Sequence, residues 1–212
     1  MKDSIQWSEI VRSGSSGDLI LFKTKGKWYN KLISWFSGSP YTHIGMIVRG
    51  IRIRGCDSGL ALLESGSEPF CDCIMKRNIC GVRLSTLEKV VETYRDGTCE
   101  GELYYRKLNC NRGETFAKTL ESTINAIYGE PYDVLPQDWL RAALGIDIGP
   151  DQRRNTFWCS ALVAYVYDML GFVPSSTPWT LVEPGQFSSD SRSPIPLDGR
   201  IELEPDVLVS YD

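Results

Sequence analysis

Short apolar runs, separated by glycine and polar residues, dominate the first half of the chain. Runs of this length that are rich in Leu, Ile, Val, Phe and Tyr predict β-strands. Five segments have this pattern: GDLILFK, THIGMIV, LALLES, ICGVRLS and GELYYRKL. Polar or glycine-containing stretches between them predict the turns and loops that would join neighbouring strands.

Apolar residues at helical spacing become frequent later in the chain. TLEKVVETY is predicted to be a short helix capped by Ser85 or Thr86, and RGETFAKTLESTINAIYG a long helix that ends at Gly129 and Pro131. Two more helices are predicted in LPQDWLRAALG and TFWCSALVAYVYDMLGF. Because strands precede most of the helices, the pattern indicates an α+β fold with a largely antiparallel sheet.

Two amphipathic segments lie near the N-terminus. Residues 5–11 form a short one, and KWYNKLISWFSG places Trp28 and Trp35 at helical spacing beside two lysines. We interpret the second segment as a helix laid on the sheet. The alternative, which we favour less, is an interfacial helix that contacts a membrane surface.

Composition favours a single domain over residues 1–212. Hydrophobic residues make up 42% of the chain, which is enough for a substantial core. We expect that core between about residues 17 and 172, followed by a Pro- and Ser-rich extension over 174–212 that regains strand character only at RIELE or DVLVS. The net charge of −4, with no Lys/Arg run, argues against nucleic acid as a partner. No secretory signal or membrane span is recognisable, so we expect a cytoplasmic protein.

Seven cysteines are many for this length, and the number is odd. Without a signal peptide, we expect reduced thiols. Cys56, Cys71, Cys73 and Cys80 could suggest a zinc site, but they lack paired C-x-x-C spacing and the only histidine is distant in sequence. We therefore expect no metal.

Cys159 is a candidate nucleophile because of its place in the last predicted helix. A cap at Asn155 or Thr156 puts Cys159 in the first turn, where free N–H groups and the positive end of the helix dipole stabilise a thiolate. The backbone N–H of Cys159 would also contribute to an oxyanion hole. The alternative is a packing role, because Leu162 and Val166 share its face of the helix.

His43 is the only histidine and begins the apolar run HIGMIV. Histidine is the usual base for a cysteine nucleophile, although a structural imidazole is the alternative. A hairpin loop centred between Ile53 and Arg54 would set Glu64 directly opposite His43, where it could orient the ring. An exposed strand glutamate is equally consistent with the spacing, and Asp57, in the loop, is a weaker candidate.

The order of these segments resembles a known family. GDLILF, SPYTHIGMIV, a strand that ends near Glu64, YGEPYD and FWCSALVAYVY are similar to the circularly permuted branch of the NlpC-type papain-like cysteine peptidases and amidases. That branch includes YiiX-like bacterial proteins and relatives in large DNA viruses. In it, histidine precedes cysteine, as it does here. The resemblance covers about residues 17–172 and implies a small antiparallel sheet or half-barrel packed against helices.

The resemblance also implies roles for individual residues. Cys159 corresponds to the nucleophile, His43 to the base and Glu64 to the polar third residue. Tyr132, in the segment EPYD, and Tyr41 would line the site or assist an oxyanion, with core packing as the alternative. The implied reaction is hydrolysis of a peptide, isopeptide or peptidoglycan-like amide bond through an acyl-enzyme, with no metal or organic cofactor.

Two other functions are consistent with the sequence. Relatives of lecithin retinol acyltransferase share the permuted arrangement, so an acyltransferase or lipid hydrolase that acts on an acyl substrate is the first alternative. A catalytically inactive binding protein or virion-structural protein is the second, and viral relatives would extend the expected location to a virion or a host cytoplasm. The reactivity of Cys159 distinguishes an active site from an inactive one.

Overall fold

The computed structural model describes residues 4–24, 39–66, 71–132 and 156–211. The strands in these ranges are β1 (Ser4–Gln6), β2 (Leu19–Thr24), β3 (His43–Arg49), β4 (Arg52–Ile53), β5 (Cys56–Asp57), β6 (Leu60–Gly66), β7 (Gly81–Thr86), β8 (Gly101–Arg106), β9 (Leu108–Asn109), β10 (Glu202–Leu203) and β11 (Val207–Ser210). The helices are α1 (Trp7–Ser13), α2 (Leu87–Arg95), α3 (Glu114–Ile127) and α4 (Cys159–Met169), with 3₁₀ helices at Trp179–Leu181 and Pro184–Phe187. Within the same ranges, every helix is too short or too polar to cross a bilayer.

Seven strands form one sheet in the order β1-β11-β8-β2-β3-β6-β7. The pairing of β1 with β11 is parallel, and the other neighbouring pairs are antiparallel. Two small antiparallel pairs, β4–β5 and β9–β10, lie outside this sheet. The predicted α+β class with a largely antiparallel sheet is therefore confirmed.

Successive side chains of a strand point to opposite sides of the sheet. On both sides these side chains pack against helices, so both faces of the sheet are covered. Ile44 and Leu63 belong to a core cluster that includes residues of α3 and α4, and we call this side the α4 face. Phe22 and Leu62 belong to a second cluster that includes residues of α1 and α2, and we call this side the α2 face. Because both faces are buried, the strands are nearly continuous runs of apolar residues in the sequence.

The boundaries of α2 and α3 follow the sequence closely. The long predicted helix corresponds to α3, and Gly129 follows it with a φ of +87°, a conformation that favours glycine. α2 begins directly after Thr86 without a side-chain cap, and the hydroxyl of Ser85 is used elsewhere. The predicted helices at 27–36 and in LPQDWLRAALG lie outside the described residues.

The C-terminal segment, residues 174–211, is part of the core. Trp179 and Phe187 are buried in the cluster of the α4 face. β10 and β11 correspond to the two candidate strands RIELE and DVLVS, and β11 lies between β1 and β8. The segment that its Pro and Ser content marked as an extension therefore completes the sheet.

Candidate functional site

His43 and Glu64 are in contact inside the protein. His43 is the first residue of β3 and is 8% exposed, and Glu64 lies on the neighbouring strand β6 and is fully buried. His43 Nε2 is 2.8 Å from Glu64 Oε2. The predicted partnership of the single histidine with this carboxylate is thus present in the structure.

The register between their strands differs from the expected one. Met46 pairs with Leu63, which makes His43 and Glu64 diagonal neighbours rather than directly opposite residues. The connecting hairpin turns at Arg54 and Gly55, which have φ values of +48° and +80°, so its centre lies one residue later than predicted. A shift of two in register leaves both side chains on the same face, which is why the contact is retained.

Glu64 is held by two further side chains that the sequence did not single out. Its Oε1 accepts a hydrogen bond from Ser85 Oγ at 2.6 Å and from Arg83 Nε at 3.2 Å. Arg83 is fully buried and also donates to the carbonyl of Ile79 at 2.7 Å. An arginine between valine and leucine in a strand that is buried on both faces was the available signal, since such a charge needs a partner.

The charge of Glu64 fixes the tautomer of the imidazole. Burial by itself would raise the pKa of Glu64, but the hydrogen bond from His43 and the charge of Arg83 outweigh it and hold that pKa below its usual range. Glu64 is therefore an anion at neutral pH and can only accept a hydrogen bond. In the neutral ring, Nε2 carries the hydrogen and Nδ1 is the nitrogen that accepts a proton.

Acid is expected to remove a stabilising contribution of Glu64. Because its pKa is lower in the folded protein than in the unfolded chain, this contribution is complete above the ordinary glutamate pKa of about 4.3 and declines below that value. The difference in unfolding free energy between the wild type and Glu64→Gln should shrink when urea unfolding is measured from pH 6 down to pH 3.

The matched control is Glu88→Gln, which changes an exposed glutamate of α2. Its effect on the unfolding free energy at pH 6 should be small compared with that of Glu64→Gln, because the side chain is exposed. A wild-type to Glu64→Gln difference that stays constant down to pH 3 would show that Glu64 titrates alike in the folded and unfolded states.

Cys159 is the first residue of α4 and is 6% exposed, with a free thiol. The first-turn position is as predicted, but the cap is not. Trp158 occupies the N-cap position with an extended backbone and no side-chain cap, so Thr156 does not have that role, and Asn155 lies outside the described residues. The helix starts later than expected because residues 156–158 run in extended form, with a β-bridge at Phe157.

Cys159 and His43 lie at the same end of the sheet. Phe157 is anchored beside the end of β6 by the hydroxyl of Ser65, and the end of β6 is next to the start of β3 in an antiparallel pair. Cys159 and His43 lie on opposite faces of the sheet. Cys159 belongs to the cluster of the α4 face, whereas the His43 ring contacts Phe22 on the α2 face, with 4.9 Å between the ring centroids. No hydrogen bond joins the thiol to His43 in the part of the chain that the structure describes.

The two tyrosines proposed for the site have different surroundings. Tyr41 is buried, and its hydroxyl donates to Asp206 at 2.6 Å. Burial, followed by this hydrogen bond to a carboxylate, raises the Tyr41 pKa, so its hydroxyl is committed to the C-terminal segment. Tyr132 packs partly buried against the core and forms a parallel β-bridge with Phe157, which lies two residues before Cys159.

The C-terminal segment contacts both sides of this region. The carbonyl of Val182 accepts hydrogen bonds from Trp158 Nε1 at 3.3 Å and from Ser160 Oγ at 2.6 Å, the two residues that flank Cys159. A Cβ placed on Gly185 would collide with the side chain of Ser39, so this glycine permits close contact with the stretch before His43. No periodic pattern of apolar residues indicated this role.

The sequence of the chain matches no known family model and no curated protein. Its structure is similar to the crystal structure of the metalloprotein YiiX from Escherichia coli O157:H7, of the group DUF1105, with a TM-score of 0.50 and 14% sequence identity. The match covers 93% of this chain and 98% of YiiX. The chain shares the YiiX fold. The resemblance to YiiX-like proteins is thereby confirmed at the level of the fold.

YiiX is described as a metalloprotein, which prompts the question of a metal site in this chain. Residues 4–24, 39–66, 71–132 and 156–211 contain no group of three or more His, Cys, Asp or Glu residues that could hold a metal ion. All seven cysteines, including the four that could have suggested zinc, are free thiols. The two carboxylate oxygens of Glu64 are instead engaged by hydrogen bonds from His43, Arg83 and Ser85.

Proposed function

We propose that the chain is a cysteine hydrolase with a permuted papain-like site, which cleaves a peptide, isopeptide or peptidoglycan-like amide bond. The observation that carries this proposal is the buried 2.8 Å contact between His43 Nε2 and the anionic Glu64. A carboxylate on one ring nitrogen orients the imidazole as a base and stabilises the imidazolium. Cys159, at a helix start on the same end of the sheet, supplies the nucleophile.

The proposed reaction gives each of these residues one role. Cys159 Sγ attacks the carbonyl carbon while its proton passes to His43 Nδ1, and backbone N–H groups of the first turn of α4 stabilise the oxyanion. The imidazolium returns the proton to the nitrogen of the leaving amine, and the C–N bond breaks. His43 then takes a proton from water, whose oxygen attacks the thioester and releases a carboxylic acid and the thiol.

Proton transfer requires Cys159 Sγ within hydrogen-bonding distance of His43 Nδ1. Catalytic hydrogen bonds often shorten only when the substrate binds. We therefore expect the direct contact between Cys159 and His43 in the complex with substrate.

The alkylation rate of each cysteine tests the proposal. On exposure alone, Cys56 and Cys80 should react with iodoacetamide faster than Cys159, because both are exposed and Cys159 is 6% exposed. If His43 activates the thiol, Cys159 should be the fastest at pH 6, and His43→Ala should slow it by about ten-fold or more. Peptide mapping by mass spectrometry after timed alkylation gives all seven rates in one sample.

Cys56 and Cys80 serve as internal controls, since their rates should not change in His43→Ala. A Cys159 rate that is no faster than theirs and is insensitive to His43→Ala would refute the hydrolase proposal. The inactive binding protein would then be the better account of the chain.

A further inference from the structure

Ser65 connects the two parts of the proposed site. It follows Glu64 on β6, so its side chain points to the opposite face of the sheet. Its hydroxyl donates to the carbonyl of Phe157 at 2.6 Å, and both residues are fully buried. Glu64 thus contacts the base, His43, on one face of the sheet, while Ser65 binds the segment just before Cys159 on the other face.

Phe157 transmits this contact to the nucleophile because it lies two residues before Cys159. Its N–H donates to the carbonyl of Pro131 at 3.2 Å, and its backbone pairs with Tyr132 in a parallel bridge. α4 begins two residues later, so the position of Phe157 sets where the first turn of the helix lies along the sheet.

We propose that Ser65 is a positioning residue that sets Cys159 in register with His43. This inference rests on the proposed cysteine hydrolase function. A nucleophile displaced by about 1 Å can lose on the order of a hundred-fold in rate, so a single hydrogen bond at this place has a large effect on reactivity.

The contribution of the same bond to folding is modest. A neutral hydroxyl-to-carbonyl hydrogen bond typically contributes about 1 kcal/mol to stability. The start of α4 is also held from its other side, by the 2.6 Å bond from Ser160 to the carbonyl of Val182. We therefore expect Ser65→Ala to fold with α4 in place but with a less fixed first turn.

A double-mutant cycle with His43 separates positioning from a structural effect. The alkylation rate of Cys159 by iodoacetamide at pH 6 is measured for the wild type, Ser65→Ala, His43→Ala and the double variant, with thermal unfolding of each. Ser65→Ala should slow Cys159 by about ten-fold in the wild-type background and leave the rate of His43→Ala unchanged. The reason is that displacement of Cys159 relative to His43 changes the alkylation rate only while the imidazole activates the thiol.

Thr123→Val is the matched control, because it removes a buried hydroxyl of α3 that has no hydrogen-bond partner among the residues that the structure describes. It should leave the Cys159 rate unchanged. If Ser65→Ala does not fold, Ser65→Cys keeps a similar volume with a weaker donor, and an intermediate slowing is expected.

The outcomes distinguish this inference from the proposed function. If His43→Ala slows the alkylation of Cys159 but folded Ser65→Ala keeps the wild-type rate, the role of Ser65 is overturned and the hydrolase proposal stays in place. Equal slowing by Ser65→Ala in both backgrounds would also overturn it, since Ser65 would then act on the access of Cys159 alone. A His43→Ala variant with an unchanged rate would instead refute the hydrolase proposal.

Discussion

Replacing Cys159 with alanine is expected to abolish amide hydrolysis, with kcat/KM reduced by about 10⁴-fold or more. A covalent mechanism has no alternative route once its nucleophile is lost, and removal of one member of such a site commonly removes almost all of the acceleration. The measurement is release of aminocoumarin from a mixed library of peptidyl aminocoumarin amides. Intact-protein mass spectrometry should show an acyl adduct on the wild type and none on Cys159→Ala.

The control for this experiment is Cys73→Ala, which removes a partly buried free thiol far along the chain from Cys159. It should hydrolyse the library at the wild-type rate. Amide hydrolysis that persists in Cys159→Ala would contradict the assignment of the nucleophile. An adduct on Cys159 that forms from phosphatidylcholine vesicles but from none of the amides would support the acyltransferase or lipid hydrolase alternative.

The largest effect on stability is expected from Arg83→Met. Arg83 and Glu64 are both fully buried, with Nε and Oε1 3.2 Å apart, so removal of the guanidinium leaves a buried carboxylate without its cation. Loss of one partner of a buried ion pair costs about 3–5 kcal/mol. Urea unfolding at pH 7 should report a decrease of that size in the free energy of unfolding.

Arg95→Met is the matched control, because Arg95 is exposed and its nearest carboxylate, on Glu92, is 4.0 Å away. Its effect should be below about 1 kcal/mol. Glu64→Gln added to Arg83→Met should restore part of the loss, since no buried charge then remains at that position. A loss below 1 kcal/mol for Arg83→Met alone would contradict a dependence of Glu64 on this cation.

The contact between His43 and Glu64 shows what sequence periodicity can predict and what it cannot. The period of two placed both residues on one face correctly, because any even shift in register preserves the face. The exact pairing depended on where the hairpin turned, and Arg54, a residue that seldom adopts a positive φ, gave no sign of it. Local backbone conformation, and not hydrophobic pattern, decided that detail.

Arg83 and the C-terminal segment were missed for a different reason. A charged residue in a strand normally marks an exposed position, and burial of Arg83 becomes favourable through the carboxylate on the neighbouring strand together with backbone carbonyls. Trp179 and Phe187 are isolated among Pro and Ser residues, so no period indicated burial. For Arg83 the apolar neighbours in its strand were the only signal of burial, and for the C-terminal segment no periodic pattern gave one.

The place of β11 between β1 and β8 has a consequence for folding during synthesis. Residues 4–6 leave the ribosome before the other strands of the sheet, but their neighbour in the sheet, residues 207–210, is made about 200 residues later. At 5–20 residues per second, β1 therefore waits roughly 10–40 s for its partner. The pairing of β1 with β11 therefore occurs late in synthesis, after the strands that carry His43 and Glu64 are already available to pair.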